Sequence, residues 1–314
     1  LKRATCKKEE SMNPYQYILI DSKKRGKILK PKKISKKHLG SILALAFDPT
    51  GIFLATGDKE GLINIWDWEC REIQKKLSLS FRESGKPIIT GFDFFSHNTL
   101  LFSSFGQGVG AWSLREDQLE QIKGENDDFV EAACFYTTEK VIISDQHKVI
   151  VLDRKEGTNQ IITKCRVRAV AVHREIVALA CEERVLIINL KTNQQKTVKW
   201  EEVSCLKFSP DGERIIAGDK LGSVKMLNLI SRHEITSVKA HKHLVKSVDF
   251  DSRRGLIISV SLDGIRLNHF FNHYEALIQG NDGFLSGTLH PNDRSSFVAG
   301  NRKGEVVQFD LEDI

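Results

Sequence analysis

The chain has 314 residues and a formal net charge of +6, with 40% apolar and 28% charged residues. That balance is ordinary for a globular protein and rules out a low-hydrophobicity disordered chain. No apolar run approaches the length of a membrane span, and the charged first ten residues hold no apolar core of a secretory signal.

The charge is unevenly spread. Residues 1–37 carry +10, whereas residues 38–314 carry −4. The basic character therefore belongs to the N-terminus, on a mildly acidic body. Six cysteines stand at positions 6, 70, 134, 165, 181 and 205, none in a CxxC pair. Cys134, Cys165, Cys181 and Cys205 lie in strand-like apolar runs, which reads as reduced thiols in a cytosolic or nuclear protein. The chain opens on Leu1 without an initiator methionine, consistent with a piece of a longer protein.

In chain order, residues 1–14 read as a basic extension and Tyr15–Ile20 as a strand before any repeat begins. Residues 22–37 then read as a basic loop. From Lys23 to Lys37 it holds nine positive charges and no acid: Lys23, Lys24, Arg25, Lys27, Lys30, Lys32, Lys33, Lys36 and Lys37. Compact, hydrated ammonium groups at this density attract phosphates through counterion release. The run also has the look of a two-cluster nuclear-localisation signal. Three readings stay open: a polyanion site for RNA or DNA, a dock for an acidic protein or import receptor, or a solvated loop. No aromatic residue interleaves the run, so base stacking is not supported.

The first repeat follows. Ile42–Phe47 alternates large and small apolar residues, as a buried inner strand does. Asp48-Pro49-Thr50-Gly51 reads as a turn, Ile52–Thr56 as a second strand, Asp58–Gly61 as a hairpin and Leu62–Trp66 as a third strand. A more polar outer strand is expected around Ile73–Leu77. The same order recurs from Cys205, Val245 and Leu289, and more faintly near Ile89–Phe94, Glu131–Phe135 and Arg168–Val172. Gly106–Gly110 could be mistaken for a phosphate-cradling loop, but it precedes a strand ending at Trp112 and reads as a hairpin.

The third strands share a register. Counting from Trp66, the equivalents are Trp112, Leu152, Ile188, Leu227, Asn268 and Phe309, at intervals of 46, 40, 36, 39, 41 and 41 residues. A period near forty with a strand ending in Trp-Asp marks four-stranded propeller blades. The expected fold is therefore all-β: a single closed seven-bladed β-propeller over residues 15–314. The last repeat stops without an outer strand, and an N-terminal strand, Tyr15–Ile20, is expected to complete that blade by pairing with Glu305–Phe309. Closure would remove a free edge.

From about residue 15 to 311 the chain resembles the WD-repeat family. The match is strong in the first repeat, fair in the fifth to seventh, and carried by spacing in the middle three. The resemblance implies a hydrogen-bonded set of His, Ser/Thr, Asp and Trp in each blade. Mapped here, His38, Thr56 and Trp66 belong to the first set, with Glu60 where Asp is expected. His241, Ser259 and Asp263 belong to the sixth, with Asn268 replacing Trp. Leu221 and Lys303 hold the Asp position in blades five and seven. His241 and His243 could share a strand face, but they lack a third ligand, so no metal is expected. Of the blade tryptophans, Trp68 is the one best placed to face outward, although packing against the blade's outer strand is the favoured reading.

GxSxG, HExxH and GxxxxGK[ST] are all absent. The reading is therefore no enzyme, no cofactor and no small-molecule substrate. The resemblance implies a non-catalytic interaction scaffold: a WD-repeat subunit of a larger nuclear or cytosolic complex, with other protein subunits as partners and no membrane. The alternative is a nucleic-acid-associated propeller in RNA processing, ribosome assembly or chromatin, with segment 23–37 as phosphate anchor. A third possibility, a ligand site in the central channel, would need a polar cluster that sequence does not reveal.

Overall fold

In the computed structural model, the described residues are 17–21, 26–29, 31, 33–79, 87–123, 130–144, 148–157, 159–231, 233–251, 254–269, 275–280, 282–293 and 295–311. They form seven antiparallel sheets, six of four strands and one of six, arranged as a β-propeller. The third strands of the blades run over Leu62–Asp67, Gly108–Ser113, Val149–Asp153, Val185–Asn189, Ser223–Asn228, Gly264–His269 and Glu305–Asp310. The seven register residues are the penultimate residue of each. They pair across to Leu54, Leu100, Val141, Val177, Ile215, Ile257 and Phe297 of the second strands.

The periodicity of these strands dictates the packing. Successive side chains on a strand point to opposite faces, and a middle strand has a neighbouring blade on each side. Leu54 and Trp66 pack toward blade seven with Val298 and Val306. Ala55, Ile63 and Ile65 pack toward blade two with Ile89, Leu100 and Trp112. Among the described residues the apolar core is thus seven seams, one between each adjacent pair of blades, the last joining blade seven to blade one. Only one face of an outer strand is covered, so Glu72–Ser78 alternates exposed and half-buried residues.

The outer strand of blade seven is not the one expected. Tyr17–Asp21 pairs with Glu275–Gln279, the outer strand of blade six. Gly26–Leu29 then pairs with Tyr17–Asp21, which makes blade six the six-stranded sheet. The strand beside Glu305–Asp310 is Lys33–Lys36, with Lys33 opposite Gln308 and Lys36 opposite Glu305. An alternating apolar run identifies a strand without naming its partner. Proximity in the chain decides here, because Lys36 lies only a short connection before the first inner strand, Ile42–Phe47. The basic segment is correspondingly not a loop throughout: 26–29 and 33–36 are strands.

Turns between first and second strands latch neighbouring blades. Asp48 Oδ1 accepts the Phe53 N–H at 2.7 Å and Oδ2 accepts the Thr50 N–H at 3.1 Å, closing the turn of blade one. At its tip Gly51 has φ 74°, and a Cβ there would overlap the imidazole of His290 from blade seven. The His290 Nε2–H donates to the Gly51 carbonyl at 3.0 Å. His173 of blade four packs in the same way on Gly212, the equivalent turn of blade five.

Trp66 is 4% exposed and fills the seam between blades one and seven. Trp66→Ala is expected to lower the unfolding free energy by about 3–5 kcal/mol. Denaturant titration checks this, and a loss below about 1 kcal/mol would contradict the seam packing.

Candidate functional site

The polar network of blade one sits inside the sheet. His38, on the approach to the first inner strand, is buried and reaches three side chains. Its Nδ1 lies 2.8 Å from Asp58 Oδ2 and its Nε2 lies 2.6 Å from Thr56 Oγ1 and 3.0 Å from Asn64 Nδ2. The tautomer with its proton on Nδ1 satisfies all three: Nδ1–H donates to Asp58, and Nε2 accepts from the hydroxyl and the amide. Thr56 Oγ1 in turn accepts the Trp66 indole N–H at 2.8 Å.

The acid of this network is Asp58, where Glu60 holds the expected position. Asp58 is fully buried at the end of the second strand. Its Oδ1 accepts the turn N–H groups of Glu60 and Leu62 at 2.9 and 3.0 Å. One short carboxylate can thus close the hairpin and hold the imidazole together. Burial works to raise its pKa, but the hydrogen bonds from His38, Leu62 and Glu60 outweigh that and hold it below the usual carboxylate value. The same position carries Asp219 in blade five and Asn301 in blade seven. Asp219 Oδ1 accepts the Ser223 N–H at 2.7 Å, and Asn301 Oδ1 accepts the Lys303 and Glu305 N–H groups at 3.0 Å. Leu221 and Lys303 therefore do not mark blades without a polar hairpin; the polar group stands two residues earlier.

Blade six places its acid at the later position. His241 Nδ1 lies 2.7 Å from Asp263 Oδ1 and Nε2 lies 2.9 Å from Ser259 Oγ. Asn268, in the place of Trp, leaves a buried Oδ1 without a hydrogen-bond partner among the described residues. In blade two Phe102 occupies the position of Thr56, and the Trp112 indole N–H turns instead to Asp117 Oδ1 at 3.1 Å. Gly106–Gly110 spans the hairpin between Thr99–Phe105 and Gly108–Ser113. Among the described residues no three His, Cys, Asp or Glu side chains group as a metal would require.

Trp68 is 9% exposed and turned inward. Phe47 meets it edge-on at 4.9 Å, and the Arg71 guanidinium stacks 3.1 Å from its ring centre. The outward reading of Trp68 is therefore corrected: the residue closes the seam beside blade seven.

The inner strands surround a cavity of about 540 Å³, lined among others by Asp93, Cys134, His173, Lys207 and Asp249. Its charged groups hold neighbouring blades together. Asp93 Oδ2 of blade two accepts the Phe135 N–H of blade three at 2.7 Å. Lys207 Nζ of blade five donates to Asp249 Oδ2 of blade six at 2.7 Å, and that oxygen also accepts the Leu289 N–H of blade seven at 2.9 Å. Burial raises the Asp93 pKa to about 6 against the hydrogen bonds from Phe135 and Phe94. Sequence reading missed these groups. Their signal was a polar residue in register one place before the aromatic end of an inner strand, as in Asp93-Phe94, Lys207-Phe208 and Asp249-Phe250.

The described parts of the basic segment lie along the rim of blades six and seven. Lys27 belongs to the strand Gly26–Leu29, Lys33 and Lys36 to Lys33–Lys36, and Lys37 follows it, exposed. Lys23, Lys24, Arg25, Lys30, Lys32 and the 1–14 extension lie outside the described residues. No helix among the described residues is long and apolar enough to cross a membrane.

Comparison with known proteins agrees with this architecture. Residues 29–67 match the family "WD domain, G-beta repeat", and residues 171–253 match "Anaphase-promoting complex subunit 4 WD40 domain". The chain is a divergent WD40 propeller. It is 23% identical over 228 residues to SEC12-like protein 2 of Arabidopsis thaliana, covering 72% of this chain and 51% of that protein. It is 30% identical over 124 residues to apoptotic protease-activating factor 1 of Homo sapiens, covering 38% of this chain and 10% of that protein. The chain thus spans about half of one relative and a tenth of the other. The divergence shows in the polar sets, where the WD40 propeller has His-centred networks in blades one and six, the second without its Trp.

Two outcomes follow from the networks. Asp58→Ala should cost about 1–3 kcal/mol by stranding the buried imidazole and two turn N–H groups, whereas Glu60→Ala should stay within about 0.5 kcal/mol; paired denaturant titrations measure both. Acid should destabilise the fold in two stages. Burial lowers the pKa of His173 and, against Asp263, that of His241. Each is held neutral, so the stability it contributes is present above the unfolded histidine value near 6.5 and declines as pH falls through it. The depressed pKa values of Asp58 and Asp263 place a further loss below the ordinary carboxylate range. Asp93, whose raised pKa has the opposite sign, offsets part of this loss between about pH 6 and the ordinary carboxylate value of 3.8. In an Asp93→Asn form the melting temperature measured from pH 8 to pH 3 should therefore fall monotonically, and a maximum near pH 5 in that form would contradict this assignment.

Proposed function

We propose that this propeller is a non-catalytic scaffold, a subunit of a larger nuclear or cytosolic complex that docks an acidic partner protein along the basic rim of blades six and seven. WD40 propellers serve in general as platforms for protein partners, and the fold by itself names no partner. The observation that carries the reading is the pairing of Lys33–Lys36 with Glu305–Asp310 and of Gly26–Leu29 with Tyr17–Asp21. Two strands set Lys27, Lys33 and Lys36, three members of a run of nine positive charges, along the edge of the ring. Charge fixed in place steers an oppositely charged surface at long range and loses strength as salt rises. The channel groups Asp93, Lys207 and Asp249 are engaged between blades, which fits an interaction role.

The charge density also supports a second reading, in which the same segment grips nucleic-acid phosphates through Lys23, Lys24, Arg25, Lys27, Lys30, Lys32, Lys33, Lys36 and Lys37. Affinity capture with and without nuclease separates the two. An acidic partner protein is retained after nuclease treatment, whereas bridging through RNA or DNA is lost. Replacing Lys23, Lys24, Arg25, Lys32 and Lys33 with Gln should abolish capture in either case and leave the melting temperature nearly unchanged. Titration of both forms against labelled RNA at two salt concentrations gives the direct measure. Equal affinities would remove the nucleic-acid reading, and undiminished capture of the same protein partner would remove the rim as the dock.

A further inference from the structure

Blade four carries a pair of thiols that the scaffold function does not use. Cys181 ends the second strand, Ile176–Cys181, and is buried. Cys165 is half-buried and lies between the outer strand of blade three, Asn159–Thr163, and the inner strand of blade four, Val167–His173. Val167 pairs directly with Cys181, so Cys165 enters the sheet two residues from the position that Cys181 faces. Both side chains belong to the apolar seam between blades three and four. The thiols are in hydrogen-bonding contact with each other, and the Thr163 hydroxyl donates to Cys165 Sγ at 3.6 Å.

We propose that Cys165 and Cys181 are an oxidisable pair that forms an intramolecular disulfide when the protein meets a hydroperoxide. The Cys165 thiolate attacks the peroxide O–O bond. Sulfur is oxidised to a sulfenic acid, and the departing hydroxide takes up a proton to leave as water. The Cys181 sulfur then attacks the sulfenic sulfur. The S–S bond forms, the S–O bond breaks, and the hydroxide released takes the Cys181 proton as a second water. Two thiols and one hydrogen peroxide become one disulfide and two waters.

The surroundings make this pair selective. The Cys181 thiol, the Thr163 hydroxyl and the nearby Arg184 charge together outweigh burial and bring the Cys165 thiol down to about 6. Cys181 is pushed up first by its contact with Cys165 and then by burial, so it stays a thiol while Cys165 is the thiolate; the first cause ends when Cys165 becomes a sulfenic acid, which frees Cys181 to give up its proton in the second step. Burial holds Cys134 well above the ordinary thiol value and raises Cys205 to about 12, which leaves both protonated and unreactive. Partial exposure of Cys165 admits a small peroxide, whereas the buried position of Cys181 keeps the second step within the molecule. The bond would pin the connection between blades three and four to the sheet it enters.

The test uses the intact reduced protein and one equivalent of hydrogen peroxide. Two thiols per molecule should be lost. Peptide mapping without reductant should join the peptides that hold Cys165 and Cys181, and dithiothreitol should restore both thiols. Cys181→Ser should give a sulfenic acid at Cys165 that dimedone traps, with no internal link. Cys165→Ser should consume peroxide at least tenfold more slowly. Wild-type protein that keeps all its thiols, or that links a different pair or two separate chains, would overturn the proposal without reference to any variant. So would a Cys165→Ser protein that is oxidised as fast as wild type.

Discussion

The structure depends on the burial of both faces of the middle strands. A four-stranded blade of this chain is apolar above and below, so no blade can bury its own core. Leu54 and Trp66 need Val298 and Val306 from one neighbour, and Ile63 and Ile65 need Ile89 and Leu100 from the other. Only a ring gives every blade two neighbours. This is the nearest-neighbour logic of repeat proteins, with the end units joined to each other in place of polar caps. Area removed from water sets the scale of the stabilisation, and it accrues at the seams.

Polar groups fix how the blades meet. Burying a polar group is costly unless it finds a partner, and the inner strands find theirs in the next blade. Ser204 donates to the Val245 carbonyl, Ser247 to Gly287 and Ser286 to Ile42, and Ser144, at the end of a second strand, donates to Val167. Asp93 and Asp249 accept from Phe135 and Leu289 one blade further on. These contacts have defined geometry, so they set the angle between sheets that apolar packing alone would leave loose. The His-centred networks of blades one and six act within a sheet. In blades five and seven, which lack such a network, the hairpin is still closed by Asp219 or Asn301. Blade order and blade shape thus rest on different side chains.

A ring held in this way offers its outside for recognition. The rim of blades six and seven differs from the rest because the positively charged N-terminal segment is folded onto it as strands. Strand edges rich in lysine resist pairing with other chains. The seam between blades three and four differs in another respect, since it places two thiols side by side at the start of a sheet.

The sequence by itself determined the number of blades and the middle of each. Seven register positions at near-even spacing correspond to seven equivalent strand positions, because the period counts repeats whether or not the polar consensus survives. It also determined that Trp66, Trp112, His38 and His241 would lie inside, since apolar alternation and the WD-repeat register both point there. The tertiary structure alone decided three other matters. It decided which N-terminal strand borders blade seven, because alternation marks a strand but pairing depends on what lies beside it in space. It decided that Asp58 bonds His38 in place of Glu60, because the choice rests on the reach of a short carboxylate in a closed hairpin. And it decided that Asp93, Lys207 and Asp249 join neighbouring blades, and that Cys165 meets Cys181, because those partners are 16 to 42 residues apart in the sequence and are brought together only by the fold.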